Sequence, residues 1–367
     1  MAEPLKQLIN AEAVAFLAIV LERQFSSFDK SQFQQQVLAE LASLTLTQRV
    51  NLIADVITSQ LPEDFSKVAP PLLTLAENWP VSENTGGWQN YTAWPLISYA
   101  GRAGLKTPDM GLTVLAAFTP LFTAEFAIRP YLEQHFESTY QQMLLWTQNT
   151  DPHLRRLASE GLRPRLPWGK HLSHIPLKKA LALLEQLKDD DSVYVQKSVA
   201  NHLNDLSKEH PQQILDLCQR WQNNATPARQ WIIRRALRTL QKQADPSTMA
   251  LLGYRADLPL NTTFQLTETE CRIGDAVTLQ LTIQNLSSQP QSLLIDYELG
   301  LMRANGTLTT KVFFWQRLLL ASKQKISVAK QQKMQQLSTR KLYPGEHSIV
   351  LRINGQLQAR QSFQLRP

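Results

Sequence analysis

Helical periodicity governs the first two thirds of the chain, and strict alternation governs the last third. Apolar residues recur close to the three- and four-residue spacing that places side chains on one helix face. They mark Phe16, Val20 and Phe25, then Phe33, Val37, Leu38 and Leu41, then Leu52, Ile53, Val56 and Ile57. Asp29 and Thr45 stand where N-caps belong. A helix is predicted from Phe65 to Trp79, closed by Pro80, and another from Thr107-Pro108-Asp109 through Phe118. Trp88, Tyr91, Trp94 and Tyr99 fall between them and read as buried structural aromatics, while 82–87 (SENTGG) reads as a surface loop. Further helices are predicted over 176–187, 191–206, 211–221 and 227–241, several of them opened by proline. From Thr263 the period becomes two, predicting short strands over 263–267, 276–283, 292–299, 309–320, 349–353 and 361–365.

The helical part repeats itself. The segments 156–162 (RLASEGL), 197–203 (KSVANHL) and 234–240 (RRALRTL) each open with a base, carry a polar residue four places on and end in Leu. The polar positions, 160, 201 and 238, recur at intervals of 41 and 37 residues. Self-similarity near forty residues in helical segments predicts a HEAT-like solenoid, in which one helix of each pair faces the concave side. The expected fold class is therefore mostly α: a HEAT-like α-helical solenoid over residues 1–258, then a small all-β immunoglobulin-like sandwich over 259–367.

Helical spacing also picks out what the inner face would carry. The stripes are Arg156-Glu160, Lys197-Asn201-Asp205 and Arg234-Arg238-Lys242. Stepping back 35 residues from Glu160 reaches Glu125, again with a base four places on at Arg129. Each stripe alone could be a solvated intrahelical ion pair. Four in phase place two acids, Glu125 and Glu160, among bases on one groove. Pro130 predicts a bend or a helix start beside Glu125. His135 and His153 have no partner pattern and read as surface histidines.

Charge is distributed unevenly. The 367 residues carry +7 overall, with −6 over 1–150, +6 over 151–258 and +7 over 259–367. Positive charge confined to the later segments is the footprint expected of a polyphosphate partner. After Gly161 comes a loop with Arg163, Arg165 and Lys170, stiffened by Pro164 and Pro167 and tipped by Trp168. It suits a phosphate backbone and a base or sugar face, or else a turn whose tryptophan plugs the next helix pair. From Lys323 to Lys341 runs a second basic stretch with no acid, including Lys333 and Arg340. It reads as a solvated loop that extends the positive field. Cys218 and Cys271 have no metal-ligand spacing, so no metal and no disulfide framework is expected, and a reducing cytoplasm fits. The start of the chain predicts no secretory leader, and the apolar run 13–21 is too short to cross a bilayer.

Four segments together resemble a known family. LASEGLRPRLPW at 157–168, SVANHLND at 198–205, His210-Pro211 and WIIRRALRTL at 231–240 resemble the signatures of AlkC-type DNA glycosylases. These belong with AlkD to the HEAT-like alkylpurine glycosylase superfamily. The resemblance extends over nearly the whole chain, including an Ig-like C-terminal domain carried by one branch. It implies excision of 3-methyladenine and 3-methylcytosine from DNA without flipping the base into a pocket, and it maps the family's acidic pair onto Glu125 and Glu160. The aspartate–tryptophan centre of AlkD finds no match here.

The implied chemistry is coherent. Alkylation at N3 puts positive charge on the base and weakens its glycosidic bond, and the sugar gains oxocarbenium-like charge as the bond breaks. One carboxylate would stabilise that charge and the other orient water, with no cofactor. Glu160→Gln is expected to remove nearly all base release, and Glu125→Gln to leave more. Double-stranded DNA with alkylated bases is the implied partner of a monomer. Arg129, Arg156, Arg163, Arg165, Trp168, Lys170, Lys197, Asn201, Arg234, Arg238, Lys242, Lys333 and Arg340 are the candidate DNA contacts. A domain hinged near 253–260 would close the sandwich over the duplex. Two other classes compete: a non-catalytic binder of bent or branched DNA, and a protein-binding scaffold. An acid pair facing phosphate argues against the first, and the charge profile against the second.

Overall fold

A computed structural model of the chain describes residues 5–80, 88–167, 169, 171–172, 174–337 and 341–367. Trp168, Lys170, Arg340 and the predicted loop at 82–87 lie outside the described residues. Among the described residues there are fifteen α-helices. They are α1 (Ala11–Gln24), α2 (Lys30–Leu41), α3 (Leu46–Gln60), α4 (Phe65–Glu77), α5 (Trp88–Ala103), α6 (Pro108–Phe118), α7 (Arg129–Gln134) and α8 (Phe136–Trp146). Then follow α9 (Pro152–Gly161), α10 (Leu177–Gln186), α11 (Val193–Leu206), α12 (Pro211–Gln222), α13 (Pro227–Ala236), α14 (Arg238–Lys242) and α15 (Pro246–Leu251). Eight strands close the chain: β1 (Leu260–Leu266), β2 (Glu270–Arg272), β3 (Ala276–Asn285), β4 (Gln291–Met302), β5 (Leu308–Leu320), β6 (Lys325–Lys333), β7 (Gly345–Ile353) and β8 (Gln356–Arg366).

Two compact units result, the first comprising 1–206 and 225–232, the second 207–224 and 233–367. In the first, α1 packs on α2, α3 on α5, α4 on α6 and α9 on α11. The caps follow the sequence: the Asp29 carboxylate accepts from two backbone N–H groups of α2, and Thr45 and Gln48 form a capping box on α3. Trp94 and Tyr99 are buried. Two glycines bring together the parts that carry the candidate site. A Cβ on Gly111 would lie 2.1 Å from the Tyr131 hydroxyl, so only glycine there lets Tyr131 seat α7 and donate to the Ala100 carbonyl at 3.2 Å. A Cβ on Gly161 would lie 2.8 Å from Ile128, and its absence lets the end of α9 close on the 119–128 turn that holds Glu125. That turn is not helical. Pro130 then sits in the first turn of α7, where its missing N–H costs nothing.

The second unit contains two sheets, ordered β1-β3-β6 and β2-β8-β7-β4-β5. They enclose one core, built from Val277, Leu279, Leu281 and Ile283 of β3, Tyr297 and Leu299 of β4, Leu351 of β7 and Phe363 of β8. Alternation is strict in β3 but lost in β4, where burial is nearly continuous. The cause is a second covering layer: Met249 and Tyr254 pack on Leu294, which faces away from the sandwich core. Asn354 also donates to the Arg255 carbonyl at 2.9 Å. The segment expected to hinge is therefore fastened to the sandwich.

The basic stretch read as a solvated loop is largely a strand, β6, paired antiparallel to β3. Its inward positions are Ile326, Val328, Lys330 and Gln332. The last two are polar, which hides the alternation. The Lys330 amine donates to the Phe314 carbonyl at 2.6 Å, and Gln332 accepts from the Tyr297 hydroxyl at 2.5 Å.

Candidate functional site

A chain of buried charges runs through the first unit. Arg156, on α9, donates to Glu125 Oε2 at 2.7 Å and to Thr123 Oγ1 at 2.9 Å. The same guanidinium nitrogen lies 3.6 Å from Glu160 Oε1, one helical turn on. Arg163 donates to Glu160 Oε1 from one nitrogen, and to Asp205 Oδ2 at 2.9 and 2.6 Å from two others. Ser198, on α11, donates to Glu160 Oε2 at 2.5 Å. Acid and base therefore alternate from Glu125 through Arg156, Glu160 and Arg163 to Asp205. Both oxygens of Glu160 are engaged. Glu125 differs: Oε2 is held by Arg156 and by the Thr123 hydroxyl at 3.1 Å, while Oε1 meets no partner among the described residues.

Burial and pairing decide how each cation behaves. Arg163 is 8% exposed and Arg129 is 4% exposed. Burial pushes a guanidinium down, and for Arg129, which donates to the Gly161, Arg163 and Pro164 carbonyls, it outweighs the pull of Glu133 and Glu125 and lowers the group to about 10. For Arg163 burial acts the same way, but Glu160 and Asp205 more than offset it and hold the group above its ordinary value. Arg156 is likewise raised, against burial, by Glu125 and Glu160. His202 on α11 is fully buried, and burial with the nearby Arg163 pushes it down to about 3. It is neutral in the fold. Among the described residues, no cluster of His, Cys, Asp or Glu is arranged to hold a metal ion. No helix there is long and apolar enough to cross a membrane.

The residues of this chain fall inside a region of known kinship. The family described as DNA alkylation repair enzyme matches residues 122–240, and the C-terminal Ig-like domain of the YhaZ proteins matches 261–367. Uncharacterized protein YhaZ of Bacillus subtilis (strain 168) is 32% identical over 98% of this chain and 99% of its own length. Pseudomonas fluorescens alkylpurine DNA glycosylase AlkC, solved bound to DNA containing an abasic site analog, superposes with a TM-score of 0.92. It is 31% identical, over 99% of this chain and all of that one. This chain belongs to the AlkC-like DNA alkylation repair family. The β-sandwich is the family's Ig-like domain, and the matched repair region spans every member of the alternating chain from Glu125 to Asp205.

Within that AlkC-like frame, the residues singled out by sequence separate into groups. Glu125, Arg156 and Glu160 come together. Arg129 and Arg163 do not face outward: one holds the carbonyls at the root of the 162–171 loop, and the other bridges two acids. Both are buried, so neither guanidinium is presented to solvent. Arg165, Lys197 and Arg234 are exposed, Asn201 and Arg238 are half-buried, and Arg238 donates to the Arg235 carbonyl at 2.7 Å. Lys333 is exposed on β6. Lys242 is exposed and lines a cavity of about 530 Å³ with Lys311, Phe313 and Phe314. His135 is half-buried and bonded to the Leu105 carbonyl, and His153 packs against Tyr194.

Repeat phase made Asn201 the equivalent of Glu160; on α11, Ser198 donates to Glu160 and Asp205 accepts from Arg163. On α11, Ser198, His202 and Asp205 lie toward the buried charges, and of these Asp205 alone belongs to the expected Lys197-Asn201-Asp205 stripe. A signal existed: residues 194, 198, 202 and 205 keep helical spacing and combine hydrogen-bonding groups with no exposed cation.

Proposed function

We propose that this protein is a DNA glycosylase that releases N3-alkylated bases, 3-methyladenine and 3-methylcytosine, from double-stranded DNA without turning the base out into an enclosing pocket. The carrying observation is Glu125, with one oxygen fixed by Arg156 and Thr123 and the other without a partner among the described residues. A carboxylate so held has one oxygen aimed and keeps its negative charge. As the glycosidic bond lengthens, positive charge grows on the deoxyribose, and a preorganised anion beside it lowers the barrier. The electron pair of the breaking bond goes to the base, whose positive charge is thereby discharged. Water then adds at the anomeric carbon and gives its proton to solvent or to a carboxylate. Undamaged bases are poor leaving groups, so selectivity comes from the lesion's own charge.

Glu160 has a different part in this reading. Its oxygens are engaged by Arg156, Arg163 and Ser198, so it fixes Arg156 and through it Glu125. Lys197, Arg234 and Lys242, and in the Ig-like domain Lys311 and Lys333, supply phosphate contacts that set register without reading sequence. The likeness to an AlkC solved on DNA supports duplex DNA as the partner.

The test is release of free base from methylated duplex DNA at saturating enzyme. At about 4 Å and an effective dielectric near 20, one carboxylate stabilises a unit positive charge by about 4 kcal/mol, or roughly a thousandfold in rate. Glu125→Gln is expected to lose that much with DNA affinity unchanged or improved. Glu160→Gln is expected to lose activity and stability together. Parental release rates in Glu125→Gln would sink the assignment.

A further inference from the structure

Three helices of the first unit each turn one face toward a cavity of about 300 Å³, a volume at the lower end of ligand-binding clefts. Thr47 and Asn51 come from α3, Trp94 and Ser98 from α5, and Arg129 and Glu133 from α7, each pair four residues apart and so on one side of its helix. Phe126, from the turn that carries Glu125, and Gly169, from the 162–171 loop, also line it. Glu125 and Arg156 lie outside it.

The lining has a definite chemistry. The Trp94 and Phe126 rings are stacked, with centroids 6.0 Å apart and planes at 24°, and form an aromatic wall. A Cβ on Gly169 would lie 2.8 Å from that of Leu166 and 3.5 Å from the Phe126 ring, so glycine lets the loop backbone come down beside that ring. Asn51 carries both a donor and an acceptor, and Thr47 and Ser98 carry hydroxyls. None of these three side chains has a hydrogen-bond partner among the described residues. A flat aromatic wall with a carboxamide at hand is how proteins hold a nucleobase, by its face and by its edge. Arg129 and Glu133 attract one another and supply one charge of each sign, so the cavity has no net charge to favour a phosphate.

We propose that this cavity, walled by Trp94 and Phe126 and edged by Asn51, binds a free nucleobase of purine size. The choice of ligand rests on the base-release reading, since a free base is what that reaction sets loose. A hollow of about 130 Å³ shares Trp94, Ser98, Phe126 and Pro130 with the cavity and reaches Thr123, whose hydroxyl holds Glu125. A base seated on Phe126 therefore bears on the turn that aims the candidate carboxylate.

The test is titration calorimetry of adenine, 3-methyladenine and adenosine monophosphate into the full chain, without and with saturating unmodified duplex DNA. The free bases are expected to bind with a dissociation constant of about 1 mM or tighter, and the monophosphate at least about tenfold more weakly. Asn51→Leu, which removes the edge contact, and Ser98→Leu, which fills the cavity, are each expected to weaken adenine binding about fivefold or more, with a thermal transition like the parent's. Absence of binding at millimolar base, binding unchanged in both variants, or weakening seen only with a lowered thermal transition overturns the proposal. So does a monophosphate that binds as tightly as adenine, or loss of adenine binding in saturating duplex, since the cavity then serves nucleotides or the DNA itself. Release of base from methylated duplex is measured on the same preparations. A parent that releases base and binds none overturns this proposal and leaves the base-release reading standing; a parent that binds adenine and releases none does the reverse.

Discussion

Arg163 bridges two carboxylates that are 5% and 4% exposed, Glu160 and Asp205, and its loss can be worked through in numbers. Arg163→Gln leaves both acids buried and facing one another across an uncharged amide. Breaking a buried ion pair in this way costs about 3–5 kcal/mol, most of it the penalty of the stranded charge. The first unit spans roughly two hundred residues, where each kcal/mol moves the thermal midpoint by about 2–4 °C, so a fall of roughly 6–20 °C is expected. Calorimetry at pH 7 on the parent, Arg163→Gln, Asp205→Asn and the double variant completes the cycle. Removing the second acid relieves part of the repulsion, so the double variant should be more stable than Arg163→Gln alone, with a coupling of about 2 kcal/mol. If Arg163→Gln shifts the midpoint by less than about 2 °C, or if the two effects simply add, the three groups are not one buried ionic unit.

His202 stays neutral in the fold down to about 3, whereas the unfolded chain protonates it below about 6.5; its share of stability is complete above pH 6.5 and is lost as pH falls toward 3. Urea melts between pH 7 and 4 should show a slope of up to about 1.4 kcal/mol per pH unit that His202→Asn removes. Asp296, raised by burial to about 6 against the pull of Arg317 and Arg352, acts the other way: it favours the folded second unit at pH below 3.8, and that contribution is lost as pH rises through 6. Asp296→Asn should therefore raise stability at pH 7, and a lowered midpoint would contradict the sign. Lys197→Ala and Arg234→Ala should each flatten the dependence of log K on log salt by about one unit; slopes equal to the parent's would return both to the solvated surface.

Much of the fold was legible because periodicity is local. Asp29, Thr45, Pro108 and Pro130 mark helix starts through chemistry confined to one turn. The strand at 325–333 was not legible, since its inward Lys330 and Gln332 find partners on other strands. Part of the site was legible too: Glu160 and Arg156 are one turn apart, and repeat spacing led back to Glu125. The roles of Arg129 and Arg163 were hidden because the carbonyls that Arg129 holds lie 32–35 residues away and the second acid of Arg163, beyond the nearby Glu160, lies 42 away. A buried arginine and a phosphate-binding one look alike in a single sequence. The packing of α11 against α9 brings Ser198 onto Glu160, and it is set across a repeat that no short motif records.

The division of the chain into compact units has a bearing on modularity. By composition the natural cut lies where helices give way to strands, near residue 259. By packing it lies within the helical part, and the backbone passes between units after Leu206, after Asn224 and after Ile232. The helical residues 233–258 supply Met249 and Tyr254, which cover Leu294 on the outer face of β4. No single excision, in the laboratory or in a genome, separates the units cleanly. A fragment ending at Asp257 keeps an apolar surface whose cover has gone, and a sandwich starting at Pro259 exposes Leu294. A lineage that lost or gained the Ig-like domain would have had to remake its last helical turns in the same step.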